Sequence, residues 1–157
     1  MNTKEQKFVL PDVCQIGMVT SNLEKTIKQM EDIYGLKPFK IMEPEYVNMY
    51  VRGKPAEFKL KVAFFRGTDN VDIEIISVKE GDTIYDEWLR EKGEGLHHLA
   101  FEIEDIEGWV NHYKDKGIEV LQRGDRPGVS WVYLDTYASG GFITELVERT
   151  EEGKIRT

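Results

Sequence analysis

Two stretches of this chain repeat one layout, and the duplication limits what the chain can fold into. Val13–Asn22 reads VCQIGMVTSN and Gly93–Asp105 reads GEGLHHLAFEIED. Each carries a polar residue able to bind a metal, then an apolar alternating run, then a helix-start signal. With the two stretches in step, Gln15 falls on His98. A second pair closes each copy, VDIEIISV around Glu74 and GFITELVE around Glu145. Two copies of one unit, each with a candidate ligand at both ends, predict a single four-ligand site between them.

The local signals agree with a duplicated unit. Cys14–Thr20 alternates as a strand, with Gln15, Gly17 and Val19 on one face and Cys14, Ile16 and Met18 on the other. Ser21 or Asn22 caps the helix that follows. Leu23, Ile27, Met30 and Ile33 or Tyr34 supply its apolar stripe, and Gly35 supplies a left-handed stop. The second copy repeats the order. Leu96–Ile103 is a strand, Glu104 or Asp105 a cap, and Ile106, Trp109, Val110 and Tyr113 a stripe that ends at Gly117. Strand-like runs follow each helix. They are Pro38–Glu43, Glu57–Phe65 and Val71–Val78 in the first half, and Ile118–Gln122, Ser130–Asp135 and Phe142–Val147 in the second. Each half is therefore strand–helix–strand–strand–strand, module one spanning about 13–80 and module two about 95–148. Residues 45–56 are an insertion in module one. Asp82–Lys92 predicts an amphipathic linker helix, the first ten residues a loose arm or edge strand, and residues 151–157 a disordered tail.

Bulk properties exclude several function classes. At 157 residues the chain is one compact domain, with hydrophobic content of 40% and charged content of 32%. No apolar run approaches the roughly 18 residues a membrane span needs. The N-terminus lacks the apolar stretch of a secretion signal. One cysteine, Cys14, forms no internal disulfide, so a cytoplasmic location is expected. A net charge of −8 argues against nucleic acid or an anionic membrane as partner. Arg52, Lys54, Lys59 and Lys61 interrupt the acidity. They fit a solvated edge strand better than a contact for an anionic substrate tail.

Parity places the candidate ligands together. In the strand around Glu74, Ile73 and Ile75 point one way and Glu74 the other. Glu145 likewise alternates with Thr144 and Leu146. The helices cover the apolar faces, so Gln15, Glu74, His98 and Glu145 share the opposite, concave face. One of His97 and His98 faces the helix side. An imidazole, two carboxylates and an amide oxygen suit a divalent Zn, Ni, Co, Mn or Mg ion.

These features resemble the vicinal oxygen chelate superfamily, which includes glyoxalase I, methylmalonyl-CoA epimerase, extradiol dioxygenases and bleomycin-resistance proteins. The resemblance spans about Val13–Glu148. It implies an α+β fold of two tandem βαβββ modules forming a cupped mixed sheet around one metal site. It places ligands on the first and last strands of each module, at Gln15, Glu74, His98 and Glu145. The run EGDTIYDEWLREKGEGLHHLAFEIEDIEG and the close Gly140-Gly141-Phe142-Ile143-Thr144-Glu145-Leu146 are most similar to methylmalonyl-CoA epimerases. Those enzymes usually carry His where Gln15 stands and Gln where Glu74 stands. The set Gln–Glu–His–Glu is that of eukaryotic-type glyoxalase I.

Both relatives imply one elementary step. A chelated carbonyl compound loses an adjacent proton to a carboxylate, and the proton returns to the same or the neighbouring carbon. Glu145 is the first candidate base. Glu43 or Glu45 is the expected second acid/base for inversion, with Glu74 in reserve. The implied activity is a metal-dependent epimerase acting on a small acyl-CoA. The alternatives are a lactoylglutathione-lyase reaction on a thiol adduct and a metal-free small-ligand-binding protein. The resemblance also implies a homodimer.

Overall fold

The structure is a computed structural model describing residues 8–155. Chain order is β1 (Val13–Val19), α1 (Leu23–Tyr34), β2 (Lys40–Met42), β3 (Val47–Val51), β4 (Lys54–Pro55), β5 (Lys59–Arg66) and β6 (Asp72–Glu80). Then come α2 (Ile84–Lys92), β7 (Gly95–Glu102), α3 (Ile106–Lys114), β8 (Val120–Arg126), β9 (Val129–Leu134), α4 (Tyr137–Gly140), β10 (Ile143–Arg149) and α5 (Glu151–Ile155).

The helix ends follow the local chemistry. The Asn22 side chain accepts from the Lys25 N–H, and Asp105 accepts from the Gly108 N–H. Gly35 is left-handed, and the Leu36 N–H reaches the Met30 carbonyl at 3.1 Å. That bond, between residues six apart, folds Leu36 back onto the core beside Met30. Ile33 and Tyr34 stay exposed, so Leu36 completes the stripe in their place.

Among the described residues, ten strands form one sheet in the order β2-β5-β6-β1-β7-β10-β9-β8-β3-β4. The two modules meet at β1 and β7, which run antiparallel. Within each module the first strand pairs in parallel with the last, and the two registers are equivalent. Gly17 sits opposite Glu74 in module one, and Ala100 sits opposite Glu145 in module two. Both are two residues beyond the aligned pair Gln15 and His98. The duplication in the sequence is thus a duplication of hydrogen-bond register.

The insertion in module one closes the sheet. Its strand β3 leaves β2 at one edge and pairs with β8, the outer strand of module two. A flat sheet would hold β2 and β3 about 38 Å apart, at about 4.8 Å per strand. The link Glu43–Tyr46 reaches only about 18 Å when extended. The sheet therefore curls into a deep cup with this link crossing between its edges.

Burial sorts into three clusters. Helix α1 packs Leu23 and Met30 on Ala63, Phe65 and Ile75. Helix α3 packs Ile106, Trp109 and Val110 on Val132, Leu134 and Leu146. The third cluster fills the cup with Leu60, Val62, Ile76, Trp131, Tyr133 and neighbours. Helix α2 plugs one end through Ile84 and Tyr85, and the Ile84 N–H donates to the buried Gln122 side chain at 3.1 Å.

Both chain ends depart from expectation. Residues 1–7 of the expected arm, and residues 156 and 157 of the tail, lie outside the described residues. Phe8 is not in a strand. It stacks on His112 and meets Trp109 edge-on. The tail expected to be disordered turns into α5, because Gly128 and Gly153 allow backbone contact there. A Cβ on Gly153 would lie 2.0 Å from the Gly128 carbonyl oxygen. The basic run is solvated and paired: Arg52 meets Glu87, Lys59 meets Glu80, and Lys61 meets Glu24.

Candidate metal centre

Glu74, His98 and Glu145 converge inside the cup, with ligand atoms all within 4.8 Å of one another. Strands β6, β7 and β10 deliver them. Alternation sends Ile73 and Ile75 under α1 while Glu74 points inward. On β10 the inward residues are Glu145, Val147 and Arg149, and on β9 they are Val129, Trp131 and Tyr133. The His98 Nε2 lies 3.3 Å from a Glu74 oxygen and 3.2 Å from a Glu145 oxygen.

Those three atoms are buried and lack hydrogen-bond partners. Their separations are short enough for ion pairs when His98 is protonated, and among the described residues no further donor serves these buried carboxylate oxygens. Two buried carboxylates and an imidazole this close together are an arrangement a cation fits. One imidazole and two carboxylates match the donor preferences of a borderline or hard divalent ion. Gln15 lines the same cavity as the carboxylates, half-buried on β1. Gln15, Glu74, His98 and Glu145 would hold such an ion.

The electrostatics fit a site built for positive charge. Burial pulls the His98 pKa down, but the Glu145 and Glu74 carboxylates outweigh it and lift it to about 9. Burial raises the Glu74 pKa, and the Glu145 charge adds to that. Burial first, then the same two carboxylates, raises the Tyr46 hydroxyl, so it stays protonated.

Both histidines face the cup, contrary to the alternation expected of neighbours on a strand. Gly17 pairs with His98 while Met18 pairs with Leu96, so His97 is an extra residue in a β-bulge. The bulge rotates His97 inward, where its Nδ1 lies 3.0 Å from the His98 Nδ1. Tyr85, Trp88 and Tyr133 surround the ring. Burial, then the His98 charge, lowers the His97 pKa to about 2. A neutral His97 accepts the Nδ1–H of His98 and leaves His98 Nε2 for the carboxylate side. Gly17 makes this geometry possible, since a Cβ there would lie 1.9 Å from the His98 ring.

The structure does not bring Glu43 or Glu45 to the cavity. Met42, Pro44 and Tyr46 line it, so the alternating Glu43 and Glu45 face solvent. Glu43 is held outward by Lys79 at 2.8 Å. Neither of the two residues expected as the second acid/base lines the cavity. Sequence reasoning also missed His97, Gly17, Tyr46, Arg126 and Arg149. The two arginines line the cavity, and Arg149 shares strand parity with Glu145.

Comparison with known proteins places the chain in a class. The sequence profile described as Glyoxalase/Bleomycin resistance protein/Dioxygenase superfamily matches residues 14–133, and the chain belongs to that superfamily. Among individual proteins, YqjC of Bacillus subtilis (strain 168), an uncharacterized protein, is 28% identical over 95 residues. That match covers 59% of this chain and 67% of YqjC. The crystal structure of hypothetical protein BH1468 from Bacillus halodurans C-125 superposes with a TM-score of 0.66 at 18% identity. It covers 89% of this chain and 95% of that one. A variant of Streptomyces coelicolor methylmalonyl-CoA epimerase, in complex with 2-nitronate-propionyl-CoA, gives a TM-score of 0.66 at 23% identity. The coverage there is 92% and 99%. At these identities the structural likeness establishes the shared fold.

Proposed function

We propose that this protein is a metal-dependent isomerase that moves a proton next to a carbonyl, of the methylmalonyl-CoA epimerase type. The observation that carries the reading is the convergence of the unpartnered ligand atoms of Glu74, His98 and Glu145 inside the cup. A divalent ion held there supplies Lewis acidity, lowering the cost of removing a proton beside a carbonyl.

The chain's own residues do the rest. Glu145 takes the proton, since its carboxylate is almost wholly buried and faces the shared ligand point. Inversion needs a second carrier on the other side of the substrate carbon. Glu43 and Glu45 face solvent, so Glu74 takes that role, with His98 between the two carboxylates. Trp131 and Tyr133 wall the cavity and exclude water, and Tyr85 donates to or accepts from Tyr133 at 2.9 Å. Helix α2 seals the far end behind them.

A glyoxalase-type lyase is the second reading, and the identity of the side chains favours it. An amide at Gln15 and a carboxylate at Glu74 are the set expected for that reaction rather than for epimerases. The carboxylate pair suits either outcome, because the proton returns to the opposite face of the same carbon in an epimerisation and to the neighbouring carbon in the lyase reaction.

The test uses purified protein loaded in turn with Co, Ni, Zn, Mn or Mg. Deuterium exchange at C2 of methylmalonyl-CoA reports epimerase chemistry, and consumption of the methylglyoxal–glutathione hemithioacetal reports the lyase. Glu145→Gln should cut the turnover of the active substrate by about 10²–10⁴-fold while leaving the protein folded. Wild-type turnover in that variant would remove Glu145 as the base. No stoichiometric metal and no gain on adding any ion would favour a metal-free binding protein.

A further inference from the structure

The mouth of the cup holds two guanidinium groups that nothing in the proposed reaction uses. Register puts them in one row. Arg126 pairs with Val129 across β8 and β9, and Val129 pairs with Arg149 across β9 and β10. Residues in such a row share a face, so the two arginines stand about 10 Å apart at Cα on the inner wall. Both line the cavity that contains Glu74 and Glu145.

Neither arginine is fully satisfied by the described residues. The Arg149 side chain is 17% exposed, and its Nε contacts Glu102 at 3.3 Å. Its Nη1 is buried without a hydrogen-bond partner. Among the described residues, Arg126 has no carboxylate at ion-pair distance, while Arg52, Arg66, Arg123 and Arg149 each have one. Burial, then the nearby Arg149 charge, lowers the Arg126 pKa from its ordinary value. Two half-buried like charges facing one cavity, one paired through its Nε alone and the other without an ion pair among the described residues, cost stability, and proteins keep such arrangements where a ligand relieves them.

We propose that Arg126 and Arg149 form an oxyanion subsite, so that the ligand of this cavity carries a carboxylate or phosphate group at the mouth end. A guanidinium pair presents forked donors that match either group. Arg149 lies four residues beyond Glu145 on β10, about 13 Å along the strand. The ligand's reacting end therefore reaches Glu145 while its anionic group stays at the rim. The assignment of which end reacts rests on the isomerase reading; the anion site itself does not.

The test is run on the whole, metal-free protein, which separates it from the enzyme assays. Phosphate and succinate are titrated at ionic strength matched with chloride, following Tm and backbone NMR shifts. At least one anion should raise the wild-type Tm and move resonances of β8–β10. Its dissociation constant should rise roughly tenfold or more in Arg126→Met and in Arg149→Met. Arg126→Lys keeps the charge but loses the fork, and serves if a methionine variant does not fold; it too should bind more weakly. Response to phosphate alone identifies a phosphorylated ligand, and response to succinate alone a carboxylated one. A wild-type protein indifferent to both anions overturns the proposal, as do folded variants that bind as the wild type does. Inactivity on methylmalonyl-CoA and on the hemithioacetal would sink the isomerase reading without touching this result.

Discussion

Module two braces its half of the candidate metal centre with packed side chains, and module one shapes its half by leaving space. His98 is wholly buried and Glu145 nearly so, while the Glu74 side chain keeps 13% of its surface exposed and Gln15 is half-buried. The imidazole is braced by His97, itself wedged among Tyr85, Trp88 and Tyr133. Module one answers with a hole. Gly17 occupies the register position that Ala100 occupies in module two, and the His98 ring fills the volume a side chain would take. The two halves are alike in backbone register and differ in the side chains they bring to the candidate centre.

The sharpest way to break this asymmetry is Gly17→Ala. The added methyl would sit 1.9 Å from the His98 Cε1 and 2.0 Å from its Nε2, so the ring must leave its place. Metal affinity should fall by at least a hundredfold, since a displaced ligand costs more than a lost outer-shell partner. The control is Ala100→Gly, which removes the matching methyl in module two and clashes with nothing. Calorimetric titration with Co or Zn on both variants measures the difference. Equal affinities would show that the ring has room the structure denies it.

A smaller effect should follow from His97→Phe, which keeps the aromatic packing but removes the Nδ1 acceptor. The His98 ring then loses its brace, and metal affinity should fall by about 10–100-fold. The wild type should also show proton release. The pKa of His98 in the metal-free fold is raised to about 9, above an unfolded value near 6.5. Its contacts with the carboxylates thus add stability that is fully present below about pH 6.5 and lost as pH rises through 9. An entering ion must displace that proton, so binding at pH 7–8 should release about one proton per ion. Titrations in buffers of different ionisation enthalpy count it, and zero release would show that His98 is not a ligand.

Much of this was legible from the residues, and what was missed has physical causes. Helix caps at Asn22 and Asp105 and the Gly35 stop are local, so the sequence shows them directly. The aligned pairs Gln15–His98 and Glu74–Glu145 reappear as equivalent register, because alternation and duplication together fix which face a residue takes. His97 was misplaced because strict alternation breaks at a bulge, and a bulge depends on the partner strand. Glu43 and Glu45 lie outside the cavity lining, where β2 gives way to the crossing link. Parity counted from the inward Tyr46 would have turned both outward. The pairing of β3 with β8 joins residues far apart in the chain and left no local mark. Arg149 was within reach, two alternations beyond Glu145, but it carries no motif.

Gln15→Ala is the mildest test of the comparison and the most informative about module one. Gln15 lines the cavity through a neutral amide, so it contributes a dipole where Glu74, His98 and Glu145 contribute charge or an imidazole lone pair. Charged ligands set most of the affinity for a hard or borderline ion, and an amide oxygen is readily replaced by water. The loss in affinity should therefore be smaller than for His97→Phe, on the order of tenfold or less. Turnover of the active substrate should change more than affinity does, because water in place of the amide occupies a position from which the substrate must displace it. Gln15→Glu separates the two effects. It adds a third carboxylate to the centre, which should tighten the ion while slowing proton removal, since extra negative charge lowers the ion's acidifying power. If Gln15→Ala instead abolished metal binding altogether, the asymmetry drawn from burial and bracing would be reversed.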